Sequence, residues 1–177
     1  IGCGYKGLRS ELLNVFNQDH PLLLLAGKTG VGKTKILAEF RQSIDLENLA
    51  NHRGSAFGNR VSSQPAQAQF ENDLAVALYK RRTQKKILVE DEGKLIGRIS
   101  IPKSFQETMA NSPMVVIDQD IESRIHNIWS EYILDQTNEY ERSFGAEGDK
   151  RLIEYLIISI CKIRKKLGNQ LHQKVEA

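Results

Sequence analysis

Short apolar runs alternate with helix-compatible segments along the first two thirds of the chain. An unbroken apolar run at 22–26 ends at a glycine, as expected of a strand buried on both faces of a parallel sheet. Two further apolar runs, at 87–89 and 114–117, follow segments of helical composition. This alternation is typical of βαβ units and predicts an α/β fold, with a parallel sheet flanked by helices. Residues 44–46 are a candidate for a further, very short strand.

Two amphipathic helices are predicted from residues at helical spacing. The first spans about 66–82, and its core-facing stripe, about 100° wide, consists of Gln67, Phe70, Glu71, Leu74 and Leu78. The second has a stripe formed by Leu152, Tyr155, Leu156, Ile160, Ile163 and Leu167. Because Lys162, Lys165 and Lys166 fall largely off that stripe, this helix should pack by one side and present a basic side. The segment 138–148 lacks apolar periodicity and is predicted to be a loop.

Length and composition indicate one globular domain. The chain has 177 residues, of which 40% are hydrophobic, enough for a core but short for two full domains. It begins without methionine, and we expect a lead-in at 1–20, a folded domain at 21–168 and a helical tail at 169–177, cut from a longer polypeptide. No apolar run approaches the ~18 residues that a membrane span needs. The two cysteines, Cys3 and Cys161, form no metal-binding or disulfide pattern, which predicts a reducing, cytoplasmic setting.

Positive charge is concentrated in two short segments, although the net charge is only +3. The first basic cluster is Lys80, Arg81, Arg82, Lys85 and Lys86, and the second is Lys162, Arg164, Lys165 and Lys166. Such clusters are typical of surfaces that contact a polyanion. They are equally typical of solvated helix ends. The sequence leaves both interpretations open.

A glycine-rich motif follows the first predicted strand. The pattern G-x-x-x-x-G-K-[ST] is matched by Gly27, Lys28, Thr29, Gly30, Val31, Gly32, Lys33 and Thr34. With a buried strand before it and a helix at about 32–41 after it, the motif predicts a P-loop and a P-loop NTPase-like fold. Its glycines let backbone N–H groups point at phosphate oxygens, at the start of a helix. Lys33 is expected to reach the outer phosphate and Thr34 to ligate Mg²⁺.

A carboxylate at the end of a neighbouring strand usually assists Mg²⁺ in such sites. The acidic residues 90–92 follow the second apolar run, while Asp45 and Glu47 flank the short run nearer the P-loop. Either group is able to serve. The residues that we predict to bind the metal are Thr34, Glu90 and Asp91.

The segment 45–58 is the most distinctive part of the chain. It places His52, Arg53 and Ser55 beside two glycines, a composition suited to a loop that hydrogen-bonds a polar ligand. His52 has no further metal ligands at a sensible spacing. The blocks DLENLANHRGSAFG (45–58), QPAQAQFEN (64–72) and LVEDEGKLIGRISIP (88–102) follow the P-loop in this order, and GYKGLR (4–9) precedes it. Over residues 4–168 the chain thereby resembles tRNA 2-selenouridine synthase.

The resemblance implies an enzyme that replaces sulfur by selenium in 2-thiouridine at the tRNA wobble position. Selenophosphate is the selenium donor in this family, and an S-geranylated intermediate made from geranyl diphosphate is thought to lie between. The family has an N-terminal rhodanese-like domain with a catalytic cysteine and a C-terminal P-loop domain, and this chain is similar to the second. The implied partners are tRNA and the rhodanese-like domain. Neither Cys3 nor Cys161 is in a setting that suits the missing nucleophile.

Carried onto this sequence, the resemblance implies a P-loop that holds geranyl diphosphate, or else ATP or GTP, with Mg²⁺. Stabilising the leaving diphosphate promotes ionisation of the allylic group, and the sulfur of 2-thiouridine then attacks the allylic carbon. The implied catalytic residues are Lys33, Thr34, Asp45, Glu47 and Arg53. The implied substrate-lining residues are His52, Arg53, Ser55, Gln67 and Glu71. The two basic clusters are expected to grip tRNA phosphates.

Two other functions are consistent with the same motif. A small-molecule P-loop kinase shares this size and order of elements, and it requires a base pocket and an arginine lid, for which Arg98 and Arg124 are candidates. A nucleotide-regulated module that binds tRNA, with no chemistry of its own, is the other alternative. Binding and turnover with geranyl diphosphate or ATP distinguish the three.

Overall fold

The structure is a computed structural model, and it describes residues 4–168 and 174. A four-stranded parallel sheet forms its centre. Its strands are β1 (Leu22–Ala26), β2 (Ser43–Ile44), β3 (Ile87–Glu90) and β6 (Met114–Val116), in the order β2-β3-β1-β6. Every pairing is parallel, so the loops after β1, β2 and β3 meet at one edge of the sheet. Two short strands, β4 (Leu95–Ile96) and β5 (Ile99–Ser100), form a separate antiparallel hairpin.

Helices surround the sheet. They are α1 (Tyr5–Leu13), α2 (Lys33–Glu39), α3 (Leu46–Leu49), α4 (Gln67–Lys80), α5 (Lys103–Ala110), α6 (Ile121–Trp129), α7 (Asp135–Phe144), α8 (Gly148–Lys162) and α9 (Arg164–Leu167). Short 3₁₀ segments occur at Asn14–Asn17 and Gly145–Glu147, and a π-helical turn at Ser130–Leu134. Within residues 4–168 and 174, none of the helices combines the length and apolar composition that crossing a membrane requires.

Alternate residues of the central strands face two separate cores. Leu24 of β1 belongs to the larger core, where Phe70 of α4 and Phe105 of α5 are fully buried. Leu25 faces the opposite side and packs with Leu37 of α2. Apolar residues are therefore buried on both faces of the sheet. The fold is α/β and P-loop NTPase-like, as predicted.

The three predicted apolar strands are confirmed, and the candidate strand at 44–46 is shorter than predicted. Strand β2 ends at Ile44, and Asp45 begins α3 by accepting a hydrogen bond from the Asn48 backbone N–H at 2.7 Å. The helix predicted at 66–82 is α4. Within its predicted stripe the apolar side chains are buried, whereas Gln67 and Glu71 are half-buried.

The prediction of a loop at 138–148 is wrong. This segment is helical, because α7 runs to Phe144, a 3₁₀ turn follows, and α8 begins at Gly148. Across the π-helical turn and α7, residues 130–144, the buried side chains are Tyr132, Gln136 and Tyr140, spaced four residues apart. A glutamine at the central buried position conceals the helical pattern of apolar residues.

The last predicted helix packs as expected. Leu152 is buried, while Lys162, Lys165 and Lys166 are exposed. The helix is interrupted at Ile163, which separates α8 from α9. Cys3, and the predicted tail at 169–177 apart from position 174, lie outside the described residues.

Candidate functional site

The glycine-rich motif forms the loop between β1 and α2. Gly27, Gly30 and Gly32 have φ angles of 152°, 86° and 79°, which L side chains rarely adopt. A Cβ at Gly30 would lie 2.7 Å from the carbonyl oxygen of Arg124 in α6, so close packing also requires a glycine there. Lys33 Nζ donates a hydrogen bond to the Gly27 carbonyl at 2.9 Å, which holds the lysine across the loop.

Helix α6 supports the outer side of the loop. Asn127 Nδ2 donates to the Gly30 carbonyl at 2.8 Å, and Arg124 Nε donates to the Thr29 carbonyl at 3.1 Å. Lys35 Nζ donates to Asn127 Oδ1 at 2.9 Å, which ties α2 to the same contact. Each carbonyl shares a rigid peptide plane with the next N–H. The contacts from α6 therefore also fix the direction of two N–H groups in the loop.

A cavity of about 160 Å³, called the P-loop cavity below, lies against the loop. Its lining consists of Thr29, Gly30, Val31, Gly32, Lys33, Thr34, Glu47, Arg53, Gly54, Ser55, Glu90, Glu92, Glu131 and Tyr132. Predicted residues from the loop, from the 45–58 segment and from the end of β3 thus meet at one place. Gly27 and Lys28, at the start of the motif, are outside this lining.

A second cavity of about 270 Å³, called the side cavity, adjoins the first. The two cavities share Thr34, Glu47, Arg53, Glu131 and Tyr132. The side cavity adds Lys35, Asp45, Asn48, Arg60 and Asp135. Sequence reasoning identified none of Arg60, Glu131 and Tyr132, because they lie in segments without a motif and reach the site through the fold alone.

Acidic side chains crowd the P-loop cavity. Glu90 is fully buried; its Oε2 accepts a hydrogen bond from the Glu47 backbone N–H at 3.3 Å, and its Oε1 has no partner among the described residues. Burial, together with the charges of Asp45 and Glu47, raises the pKa of Glu90 to about 9. Burial and the charge of Glu92 raise the pKa of Glu47 to about 8. Burial also raises the pKa of Glu92 and of Asp45. The fold therefore favours the protonated forms of the Glu47 and Glu90 carboxyls, and a bound cation would oppose this rise in their pKa.

The oxygen donors of this cavity fit a magnesium ion whose coordination a ligand completes. Mg²⁺ is usually held by one or two carboxylates together with substrate phosphates. The unpartnered Glu90 Oε1 belongs to the same lining as Thr34, Glu47 and Glu92. Within the described part of the chain, no three acidic, histidine or cysteine side chains form a complete metal site. Asp91, the other predicted metal ligand, is exposed and lines neither cavity. Its neighbour Glu92 lines the P-loop cavity instead.

Arg53 brings positive charge to both cavities. Its Nη1 is buried without a partner among the described residues, and its guanidinium carbon lies 5.5 Å from the centroid of the Tyr132 ring. Tyr132 is in the π-helical turn, an irregularity that is frequent at functional sites. Since an unpaired buried guanidinium nitrogen is costly, it marks a place where a ligand can supply an acceptor.

His52 and Gly54 shape the loop that carries Arg53. The His52 Nδ1 accepts a hydrogen bond from the Gly54 N–H at 3.0 Å, and the His52 backbone pairs with Asn59. Burial lowers the pKa of His52, in keeping with the neutral ring that this bond needs. A Cβ at Gly54 would lie 2.5 Å from Glu47 Oε1. His52 lines neither cavity, so the ligand contact predicted for it gains no support.

Gln67 and Glu71 also lie outside both cavities. Gln67 Nε2 donates to the Ser100 carbonyl at 2.7 Å, and its Oε1 accepts from the Ser100 N–H at 2.9 Å. Glu71 forms an ion pair with Arg9 of α1. These contacts join α4 to the β4–β5 hairpin and to α1. They give both residues a structural role, and the substrate contact stays a prediction.

The two basic clusters lie on different elements of the fold. Residues 80–86 connect α4 to the start of β3, at the amino edge, whereas the P-loop is at the carboxyl edge. The second cluster, on α8 and α9, is near the 52–60 loop, since Lys162 is among the charges that lower the pKa of His52. The second cluster is therefore the one on the side of the candidate site.

The parallel sheet, the glycine loop after its central strand and the acidic end of β3 define a P-loop NTPase-like domain. Residues 20–177 match the family described as the tRNA 2-selenouridine synthase AAA domain. The chain belongs to this family, and the predicted resemblance is confirmed.

Three curated relatives show how far the match extends. The chain is 39% identical to the tRNA 2-selenouridine synthase of Shewanella frigidimarina, over 99% of this chain and 50% of that protein. It is 41% identical to that of Alcanivorax borkumensis, over 97% of this chain and 49% of that protein. It is 43% identical to that of Hahella chejuensis, over 97% of this chain and 47% of that protein. The chain thus spans about half the length of these relatives, and no solved structure matches it.

Proposed function

We propose that this chain is the phosphate-binding domain of a tRNA-modifying transferase that converts wobble 2-thiouridine to 2-selenouridine, and that its P-loop holds geranyl diphosphate. One observation carries the proposal. The P-loop cavity combines Lys33 and Thr34 with Arg53 Nη1 and Glu90 Oε1, two buried groups without partners among the described residues. A guanidinium suits phosphate oxygens, and a carboxylate suits a metal ion. Membership of the family supplies the substrate class.

Geranyl transfer breaks the bond between the allylic carbon and the diphosphate oxygen. It forms a bond between that carbon and the sulfur of 2-thiouridine, and the N3 proton of 2-thiouridine is released to solvent. Lys33, Arg53 and the N–H groups of the loop hold the diphosphate as negative charge builds up on it. Thr34 and Glu90 would hold Mg²⁺, which would supply further neutralising charge. The raised pKa values of Glu90 and Glu47 imply that metal binding displaces protons from this cavity.

Selenium transfer belongs, in this proposal, to the rhodanese-like domain. That step requires a thiolate in an electropositive pocket. Cys161 is exposed on α8 and lines neither cavity, and Cys3 lies outside the described residues. The basic clusters hold the tRNA, and the lysines of α8 and α9 are the nearer ones to the P-loop.

The side cavity favours a second candidate, in which the P-loop holds ATP or GTP. Its lining is mainly charged and polar, which suits a nucleoside better than an apolar geranyl chain. Arg124 donates to the Thr29 carbonyl at the outer side of the loop, and Arg98 donates to the Gln64 carbonyl at 2.6 Å. Neither candidate lid arginine lines the two cavities. The domain would then be a small-molecule kinase or a nucleotide-regulated tRNA-binding module.

Calorimetry with pyrophosphate, geranyl diphosphate, ATP and GTP, each with and without Mg²⁺, tests these candidates. We expect geranyl diphosphate to bind at least as tightly as pyrophosphate, and both to require Mg²⁺. Tight ATP binding without any geranyl diphosphate binding would favour the second candidate. Absence of binding by all four compounds would contradict both.

A further inference from the structure

The side cavity differs chemically from the P-loop cavity. Its lining carries both signs of charge, with the cations Lys35, Arg53 and Arg60 and the acidic residues Asp45, Glu47, Glu131 and Asp135. A lining of this kind favours neither a bare phosphate nor an apolar chain. It suits a largely neutral group with several hydrogen-bond donors and acceptors. A nucleobase with its ribose is such a group.

Arg60 offers this cavity an unused hydrogen-bond donor. Its Nε is buried and has no partner in the described part of the chain. Asp45 lines the same cavity and is near enough for the Arg60 charge to oppose the rise in the Asp45 pKa. Among the residues described, however, Arg60 forms no ion pair with it. The Arg60 donor and the Asp45 acceptor are thus not paired with each other, as is needed for the edge of a base to form hydrogen bonds with both.

Tyr132 adds an aromatic surface where the two cavities join. The residue is 9% exposed, so a small part of it is open to the two cavities that it lines, beside the Arg53 guanidinium. Aromatic rings and guanidinium planes are the surfaces on which proteins stack unpaired nucleobases. The hydrogen-bonding groups of Arg60 and Asp45 and the stacking groups of Tyr132 and Arg53 therefore line the same cavity.

We propose that the side cavity is a nucleoside site, in which the base stacks beside Tyr132 and Arg53 and is hydrogen-bonded by Arg60 and by Asn48, an exposed residue of the same lining. The assignment rests on the proposed function, because it describes the second half of the same site. The nucleoside has two conceivable sources, a nucleotide turned out of RNA and a mononucleotide whose phosphates lie on the P-loop. In the first case the residues shared by the two cavities bring the thio group next to the diphosphate ester.

Fluorescence anisotropy with labelled anticodon stem-loops tests the RNA source. One stem-loop carries 2-thiouridine at the wobble position, and the other carries an abasic site there. We expect the first to bind the wild-type chain more tightly by roughly five- to a hundredfold, the range for one stacked base. Arg60→Gln and, independently, Asn48→Ala bring this ratio toward one. Arg151→Gln, a matched change at an exposed residue of α8 that pairs with Glu147, leaves the ratio unchanged.

Calorimetry with Mg²⁺-ATP and Mg²⁺-pyrophosphate tests the mononucleotide source. If ATP supplies the nucleoside, Arg60→Gln lowers the affinity for ATP relative to pyrophosphate and leaves the stem-loop ratio unchanged. Pyrophosphate affinity itself should not change in this variant, whereas it should be lost in Lys33→Ala if the P-loop assignment holds. If neither ratio changes in Arg60→Gln and Asn48→Ala, both folded by circular dichroism, the nucleoside site is overturned and the P-loop assignment is untouched.

Discussion

Two cavities at opposite edges of the parallel sheet differ in what lines them. The amino-edge cavity, between residues 16–20 and α5, has a volume of about 560 Å³, against about 160 Å³ for the P-loop cavity. Among the described residues that line the amino-edge cavity, no buried polar side-chain atom lacks a partner. His20 Nε2, for example, bonds to the Val15 carbonyl at 2.7 Å. The P-loop cavity has two unpartnered groups, on Glu90 and Arg53. Of these two cavities, the smaller one is therefore the one in which unpaired buried polar atoms call for a ligand.

The largest expected effect is that of removing the P-loop lysine. Lys33→Ala should weaken Mg²⁺-pyrophosphate binding, measured by calorimetry, by roughly a hundredfold, because a charged hydrogen bond to phosphate is lost. The fold should be intact, since Lys33 points its charge at the loop and not into a core. Lys103→Ala, at an exposed position on α5 beside the amino-edge cavity, is the matched control. Equal affinities of the two variants would remove the contrast between the cavities.

The next effect concerns the metal. Glu90→Gln keeps the shape of the buried side chain but removes the carboxylate, so the gain in pyrophosphate affinity on adding Mg²⁺ should fall by about tenfold or more. Glu107→Gln, in the lining of the amino-edge cavity, should leave this gain unchanged. A full Mg²⁺ effect in Glu90→Gln would show that the metal is bound elsewhere.

Glu90 also predicts how stability depends on pH in metal-free buffer. Its pKa is raised from 4.5 to about 9 in the fold, so the folded state binds this proton more tightly than the unfolded state does. The resulting stability is fully present below the unfolded pKa and is lost as pH rises toward the folded pKa. Thermal melts at about pH 5 and about pH 8 should therefore show a larger loss of stability in the wild type than in Glu90→Gln. Equal losses would mean that Glu90 is ionised in the metal-free fold.

A smaller effect is expected at Gly54, beside the acidic cluster. Gly54→Ala should lower the free energy of unfolding by about 1 kcal/mol or more, because φ is 61° there and the new Cβ would lie 2.5 Å from Glu47 Oε1. It should also weaken Mg²⁺-pyrophosphate binding by moving that carboxylate. Gly93→Ala, where a Cβ meets nothing within 4 Å, is the control for both measurements. Similar results for the two alanine variants would mean that the acidic cluster tolerates displacement.

The smallest single-site effect is expected in the basic clusters. Affinity for tRNA should fall steeply with salt, and each lost phosphate contact should reduce the slope of log affinity against log salt by about one. Lys165→Glu and Lys85→Glu make the same change in the two clusters. We expect both to lessen the slope. A slope unchanged in both variants would identify the clusters as solvated helix ends.

Sequence patterns were sufficient for the parts of the fold in which the signal is local. The apolar run of β1 and the eight-residue motif after it located the P-loop, and the rule that parallel strands end at one edge located Glu90. Helix α7 was not predicted because Gln136 occupies a buried position. Its amide reaches the Phe57 carbonyl at 3.2 Å, a contact that no local pattern reveals.

The remaining site residues depend on tertiary structure. Tyr132 reaches the P-loop cavity from the π-helical turn, about a hundred positions after the loop, and Arg60 reaches the side cavity from a segment without a motif. Gln67, Glu71 and His52 stand in distinctive sequence blocks, yet their polar groups are used by neighbours within the fold. Distinctive sequence drew attention to segments around the cavities but did not distinguish residues that line a cavity from residues that form internal hydrogen bonds.

The most direct test of the central claim is mass spectrometry of nucleosides from 2-thiouridine tRNA treated with this chain. With geranyl diphosphate and Mg²⁺, the proposal predicts S-geranyl-2-thiouridine, which should be absent with Lys33→Ala. With selenophosphate it predicts no 2-selenouridine until the rhodanese-like domain is added. Selenouridine made by this chain alone, and lost on Cys161→Ser, would contradict the account, as would the absence of geranylation together with tight ATP binding.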